Sequence, residues 1–533
     1  MNGYLIALIV FLAYLGLVFV LKKTKWLDRH NMSLTGPIIM WRTQRGRDLI
    51  DRIARRKKVW GIYSMVSLWI CLFSMIAIMS LLLWEATIVP QVKSAPSPEL
   101  ILGLPGINPV IPLGYGILAL VVAIVVHEFA HGIMTRVGGM KVRSLGLVFL
   151  VVPIGAFVEP DDKELENTTR RKRTKVFAAG PATNIVVAGI MLVLFSSVFM
   201  ANVEPTHDGA LTTGVVDGSP AAHAGITANC VIVKVGQTVV TGSKNITGQA
   251  TPDRGPGNLT SVDYYYKGNL KTTTMVDGIV VAFTADGFAA ANSGLKTGMV
   301  LVSLNDTPLY NITTLEDVMA ANHAGQTVNL TALVYNSSAG AFINSGITFV
   351  TLSDKYDYFA KFDPHANQVA YKGVAYLGAG FLTLGVDIRD ANYYAELLAH
   401  PFKGDRSWGD YSTSALRLIA LPFLNLEPIR SPVTEIYHTS GALAWMPSTP
   451  FYLIANSLYW IFWLNLMVGL TNVLPAVPLD GGYIFRDFID YMLSRTGREY
   501  SKAQRDKVVS SVVTAFALLV LGLIVWQIVG PAL

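Results

Sequence analysis

The stretch Val121–Met134, VVAIVVHEFAHGIM, closes an apolar run that begins near Pro112. The whole run is about as long as a helix needs to be to cross ~30 Å of hydrocarbon at ~1.5 Å per residue. Ionisable side chains inside such a run are costly, so they mark function. His127, Glu128 and His131 therefore constrain the fold more than any other residues in the chain. Of its 533 residues, 52% are hydrophobic and only 15% are charged, against about 25% charged in soluble proteins. The composition predicts a polytopic membrane protein with room for soluble domains.

Further apolar spans are Tyr4–Leu21, Trp60–Trp84, Phe177–Met200, Phe451–Val473 and Val508–Val529. The first has Lys22, Lys23 and Lys25 behind it and no basic residue ahead, the reverse of a signal peptide, and reads as a retained anchor. Basic residues crowd three segments: Arg42 to Lys58, Arg170 to Arg173, and Arg495 to Lys507. Six spans with an outer N-terminus make all three cytoplasmic. The long insert after Met200, with sequons at Asn245, Asn258, Asn305, Asn311, Asn329 and Asn336, then lies outside. The net charge of +6 sits beside the apolar spans, which favours the lipid bilayer as partner and no nucleic acid. Cys71 and Cys230 lie far apart and form neither a disulfide framework nor a Cys-based metal site.

The insert repeats itself. Residues 217–235, DGSPAAHAGITANCVIVKV, align without a gap to 286–304, DGFAAANSGLKTGMVLVSL, 69 positions on. The pattern resembles PDZ domains, with Val215–Val216 and Ile279–Val281 as the strands ahead of each short helix. Gly236–Asp277, rich in Gly, Thr and Asn, reads as an irregular insertion in the first copy. The modules would offer peptide or ectodomain contacts, or act as steric spacers.

Histidines at i and i+4 share one helical face and can both ligate zinc, with the intervening glutamate placed to take a proton from water. A third histidine in the metzincin pattern would fall at position 137, which is Val137, so that extension is absent. The other acid at membrane depth is Asp480, in Asn472–Gly482, NVLPAVPLDGG, about thirty uncharged residues into its run. Under the charge-derived topology it arrives at the same cytoplasmic-side depth as the two histidines.

These motifs, with Ala179-Gly180-Pro181-Ala182-Thr183-Asn184, resemble the site-2 protease family of intramembrane zinc metalloproteases. The resemblance implies one zinc ion per chain bound by His127, His131 and Asp480, with Glu128 as the catalytic acid and base. It also implies substrate contacts at Asn472, Pro475, Gly155, Val158 and Asn184. Leu145–Val158, interrupted by Pro153 and Gly155, is too short to cross as a helix; it reads as an amphiphilic hairpin on the cytoplasmic surface or, as the resemblance implies, a re-entrant β-hairpin able to pair with an unwound substrate strand.

The expected fold is a polytopic α-helical membrane protein of about six transmembrane helices, with a re-entrant β-hairpin and an inserted, β-rich tandem PDZ-like region. Its segments are 1–85, two helices with a basic loop; 111–200, the catalytic core; 203–275 and 276–354, the PDZ-like copies; 387–446, an outer or re-entrant region; and 451–533, the C-terminal core. The expected substrates are transmembrane-helix proteins cut near the cytoplasmic face. A membrane zincin of quality-control type, and a metal-dependent scaffold or transporter, stay open as alternatives.

Overall fold

The computed structural model describes residues 3–30, 32–44, 46–91, 97–100, 103–150, 152–247, 255–347, 349–364, 366–402, 416–424, 426, 428–496 and 500–532. The chain divides into two compact units: residues 1–195, 419–428 and 453–533, and residues 196–418 and 429–452.

The first unit is built on helices α1 (Gly3–Lys23), α2 (Arg47–Ala54), α3 (Lys57–Ile88), α4 (Leu113–Val137), α5 (Arg170–Val193), α6 (Ser448–Asn472), α7 (Asp480–Arg495) and α8 (Lys502–Val529). Among the described residues, α3, α4, α5 with its continuation to Asn202, α6 and α8 are long and apolar enough to cross a membrane, by length and composition. The remaining expected span, Tyr4–Leu21, lies within α1. Helices α4 and α5 meet through small residues, which let two backbones approach closely where water gives no hydrophobic drive. Ala130 of α4 clusters with Val176 and Ala179 of α5, while Ala178 and Ala182 on another face of α5 pack on Cys71 of α3. Helix α3 turns a polar stripe inward. Ser64 and Ser67 are buried and bond their own backbone, and the Cys71 thiol donates to the Ala178 carbonyl at 3.3 Å.

The expected hairpin is present as strands β3 (Val142–Leu150) and β4 (Val152–Pro160), but it bends earlier than expected. Pro153 pairs with Phe149 inside the ladder, so the reversal falls at residues 150–152 rather than at Pro153 and Gly155. Residue 151 itself lies outside the described residues. The hairpin is half of a four-stranded sheet, in which β1 (Met32–Thr35) and β2 (Ile38–Thr43) continue the order β1-β2-β3-β4. The segment read as a plain basic loop therefore holds two strands and α2. Ile50 of α2, with no exposed surface, packs into one cluster with Ile133, Leu145 and Val158.

In the second unit the repeat governs the topology. Strands Ala210–Val215 and Val231–Val235 recur as Ile279–Thr284 and Val300–Leu304, and helix Pro220–His223 recurs as Ala289–Asn292, each 69 positions on. Gly236–Asp277 is not an irregular insertion throughout. It contains the hairpin Leu259–Tyr266 and Asn269–Val276, turned at Lys267 and Gly268, both with positive φ. Those are the dihedrals of a two-residue turn that follows strand twist. Residues 248–254 of that stretch lie outside the described residues.

The two repeats are nested. Ala379–Thr383 pairs with Ile279–Thr284 and completes the second sheet beyond residue 354. Val386–Asp390 then returns to pair with Ala210–Val215 of the first. The opening of 387–446 is thus a strand of the first repeat's sheet, and the Ala391 amide donates to the Gly209 carbonyl at 3.1 Å. Further on, Tyr437 donates its hydroxyl to the Ala391 carbonyl at 2.9 Å, and burial raises that phenol above its ordinary pKa. Residues 403–415 of the expected outer region lie outside the described residues.

Candidate metal centre

The α4 helix carries His127 and His131 one turn apart, and the first residue of α7 brings Asp480 between them. Asp480 Oδ2 lies 3.1 Å from His127 Nε2 and 3.2 Å from His131 Nε2, and the two Nε2 atoms are 3.0 Å apart. These three residues are a group that could hold a metal ion. All three side chains are largely buried.

The chemistry of the donors supports a cation. His131 Nδ1 faces the Val176 carbonyl at 2.8 Å and must donate to it, so the neutral ring leaves Nε2 bare. Two imidazole nitrogens and a carboxylate oxygen at such spacing need a shared proton or a cation among them, and a metal ion is one group that supplies it. Ligands at ~2.0–2.2 Å from a common tetrahedral centre stand ~3.3–3.6 Å apart, a few tenths of an ångström beyond the spacing of these atoms.

Helix α5 forms the bed on which both rings lie. Its positions 176, 180 and 184, each four apart, share one face. Val176 fixes His131, Gly180 passes beneath both rings, and Asn184 meets His127. A Cβ on Gly180 would stand 2.7 Å from His127 Nε2 and nearer still to His131 Nε2, so only glycine fits. Asn184 has no exposed surface, and its amide nitrogen lies 3.3 Å from His127 Nδ1 while its Oδ1 has no partner. With the amide rotated half a turn, Oδ1 would accept from His127 Nδ1–H, leaving Nε2 free for a metal. Expected in a substrate cleft, Asn184 instead sits behind a metal-ligand candidate.

Glu128 points to the hairpin: its Oε2 accepts from the Val158 backbone amide at 2.9 Å. Since that amide turns away from β3, Val158 and Ala156 direct their backbone groups to the outer edge of β4. Gly155, of the opposite parity, directs its own toward β3. Of the hairpin residues named from sequence, Val158 thus lies with Glu128 and Gly155 does not, while Ala156 shares the parity of Val158. Only the register of the folded hairpin distinguishes them.

Asn472 ends α6 with its amide bonded to the Val468 carbonyl at 3.1 Å, and Pro475 is buried in the turn that follows. The turn is pressed against the start of α7. A Cβ on Gly481 or Gly482 would collide with the backbone of residues 473–477, which is the physical reason for two glycines after Asp480.

A membrane-spanning helical core with a two-histidine, one-carboxylate cluster between its helices defines an integral membrane protein of metallopeptidase type. Residues 115–520 match Peptidase family M50, the site-2 protease family, and the chain belongs to it. It is 35% identical over 179 residues to an uncharacterized protein of Methanocaldococcus jannaschii, covering 32% of this chain and 47% of that one. It is 26% identical over 242 residues to the zinc metalloprotease Rip1 of Mycolicibacterium smegmatis, covering 36% of this chain and 59% of that one. The alignments thus span about half the length of these relatives.

Proposed function

We propose that this protein is a zinc endopeptidase that cuts membrane-spanning segments of other proteins near the cytoplasmic face. The observation that carries the reading is the His127–His131–Asp480 cluster with Glu128 beside it, bonded to an edge strand. A zinc ion held by the three residues would supply a Lewis acid that acidifies water and polarises a peptide carbonyl. Glu128 takes the proton of the attacking water and delivers it to the leaving amine nitrogen. The β4 edge supports a strand-pairing step, in which backbone groups of Ala156 hold an unwound substrate segment in extended form. Unwinding is required because carbonyls within a helix are already bonded to amides four residues on. A scaffold or transporter leaves Glu128 without a role.

The nested repeats act in this reading as a tandem PDZ-like module on the outer side, a placement that rests on the Lys/Arg bias of the connecting segments. They select substrates by excluding bulky ectodomains or by gripping a peptide. Asn472 and Pro475 shape the substrate cleft.

The test uses full-length protein reconstituted in bilayers with a single-span substrate. Glu128→Gln should keep one zinc per chain and lose turnover by ~10²–10⁴-fold, since Gln keeps the shape and loses the base. Turnover close to wild type in that variant would remove Glu128 from the mechanism.

A further inference from the structure

Arg173 belongs to the basic run Arg170–Arg173 that marks a cytoplasmic border in the sequence, yet it is not a free surface charge. Its guanidinium grips the carboxylate of Asp487, with Nε at 3.2 and 3.1 Å from the two oxygens and Nη2 closing the fork. The Thr174 hydroxyl donates to the same carboxylate at 3.0 Å, and Asp487 is 4% exposed. Guanidinium and carboxylate thus meet as a bidentate pair, which fixes orientation as well as distance.

What this pair joins is specific. Arg173 and Thr174 precede, by less than one turn, the α5 face that seats both histidines through Val176, Gly180 and Asn184. Asp487 lies two turns after Asp480 on α7, at a spacing that returns to the same face. The N-terminus of α7 has no side-chain cap, since Leu479 stands at that position. Asp480 is therefore carried by a helix whose start is held by the packing of Gly481 and Gly482 on residues 473–477, and whose orientation against the histidine bed is fixed further along by the Asp487 pair.

We infer that Asp487, clamped by Arg173 and Thr174, is a positioning residue that sets Asp480 against His127 and His131. The inference rests on the zinc reading above. A neighbouring ion pair provides the comparison: Asp490 takes Arg170 at 3.3 Å and also Arg505 of α8, tying α7 outward as well.

The test is zinc affinity of the full-length protein in detergent or bilayers, measured by competition with a chromogenic chelator at a temperature where every variant remains folded. Asp487→Asn should bind zinc about 10-fold more weakly than wild type, the low end of the loss for a group bonded directly to a ligand, since Asp487 acts through the helix. Asp487→Glu, which keeps the charge, should recover part of that loss, and Asp490→Asn should match wild type. If Asp487→Asn does not fold, Arg173→Lys, which keeps the charge but not the fork, carries the same expectation. Wild-type affinity in Asp487→Asn, or an equal loss in Asp490→Asn, would overturn the inference by showing no positioning role or only general loosening. Wild type that binds no zinc would instead overturn the metal reading on which it rests.

Discussion

Gly180→Ala is the smallest change that tests the geometry of the site. The added methyl would lie 2.7 Å from His127 Nε2 and 2.8 Å from its Cε1, inside contact distance, and closer still to His131 Nε2. His131 cannot retreat without lengthening its 2.8 Å bond to the Val176 carbonyl, which lies on the same helix as the intruding methyl. Overpacking of this kind costs ~1–3 kcal/mol. If the cost falls on the liganding arrangement, zinc should bind roughly 5–150-fold more weakly, at ~1.4 kcal/mol per decade. Gly189→Ala, in the same helix, supplies the control. Its Cβ would meet nothing within 4 Å, so it should leave zinc affinity unchanged and gain ~1 kcal/mol of helix propensity. The assay is chelator competition on the full-length protein, paired with thermal unfolding. Zinc affinity of Gly180→Ala within twofold of wild type would refute the assignment of α5 as the bed of the site.

Two other outcomes follow from the same geometry. Asp480→Ala should lower both zinc content and turnover, whereas Asn472→Ala should keep zinc and lower turnover alone; equal metal content in wild type and Asp480→Ala would assign the third ligand elsewhere. Excising residues 210–390 and rejoining Gly209 to Ala391, whose backbones are already hydrogen-bonded, should leave zinc binding intact and widen the range of substrates cut. The readout is one substrate with and without a folded outer domain, and unchanged resistance of the bulky form would end the filter idea.

That excision also marks where sequence reasoning stops. The repeat was legible because its helical turns and strands recur in register, 69 positions apart. Its closure was not, because the two closing strands carry no repeat signal. Ala379–Thr383 and Val386–Asp390 are short and separated by Leu384 and Gly385, both with positive φ. They belong to different sheets, and nothing local to the sequence shows that one must return to residue 210. A cut at 354, read from the repeat alone, would leave both strands without partners. The candidate metal cluster was the converse case. His127, His131 and Asp480 were legible because each is an ionisable group in an apolar run, where every such group needs a reason. Asn184 and Asp487 were harder, since an amide and an acid near a helix end are ordinary in a sequence; their burial against His127 and Arg173 appears only on folding.

The segment before the family match carries the remaining lesson. Residues 32–54 precede the matched region, yet β2 pairs with β3 along Ile39–Thr43, and Ile50 is enclosed with Ile133 and Val158. Asp51 is ion-paired to Arg136, near the end of the helix that bears both histidines. A hairpin near hydrocarbon exposes two edges of unpaired amides and carbonyls, and each must be satisfied by protein or water. Here β2 covers the β3 edge, so among the described residues the β4 edge is the one left open on this hairpin. That edge is also where Val158 meets Glu128. By closing the opposite side, the N-terminal strands leave one edge of this hairpin for the proposed strand pairing, and it is the edge bonded to the proposed catalytic base.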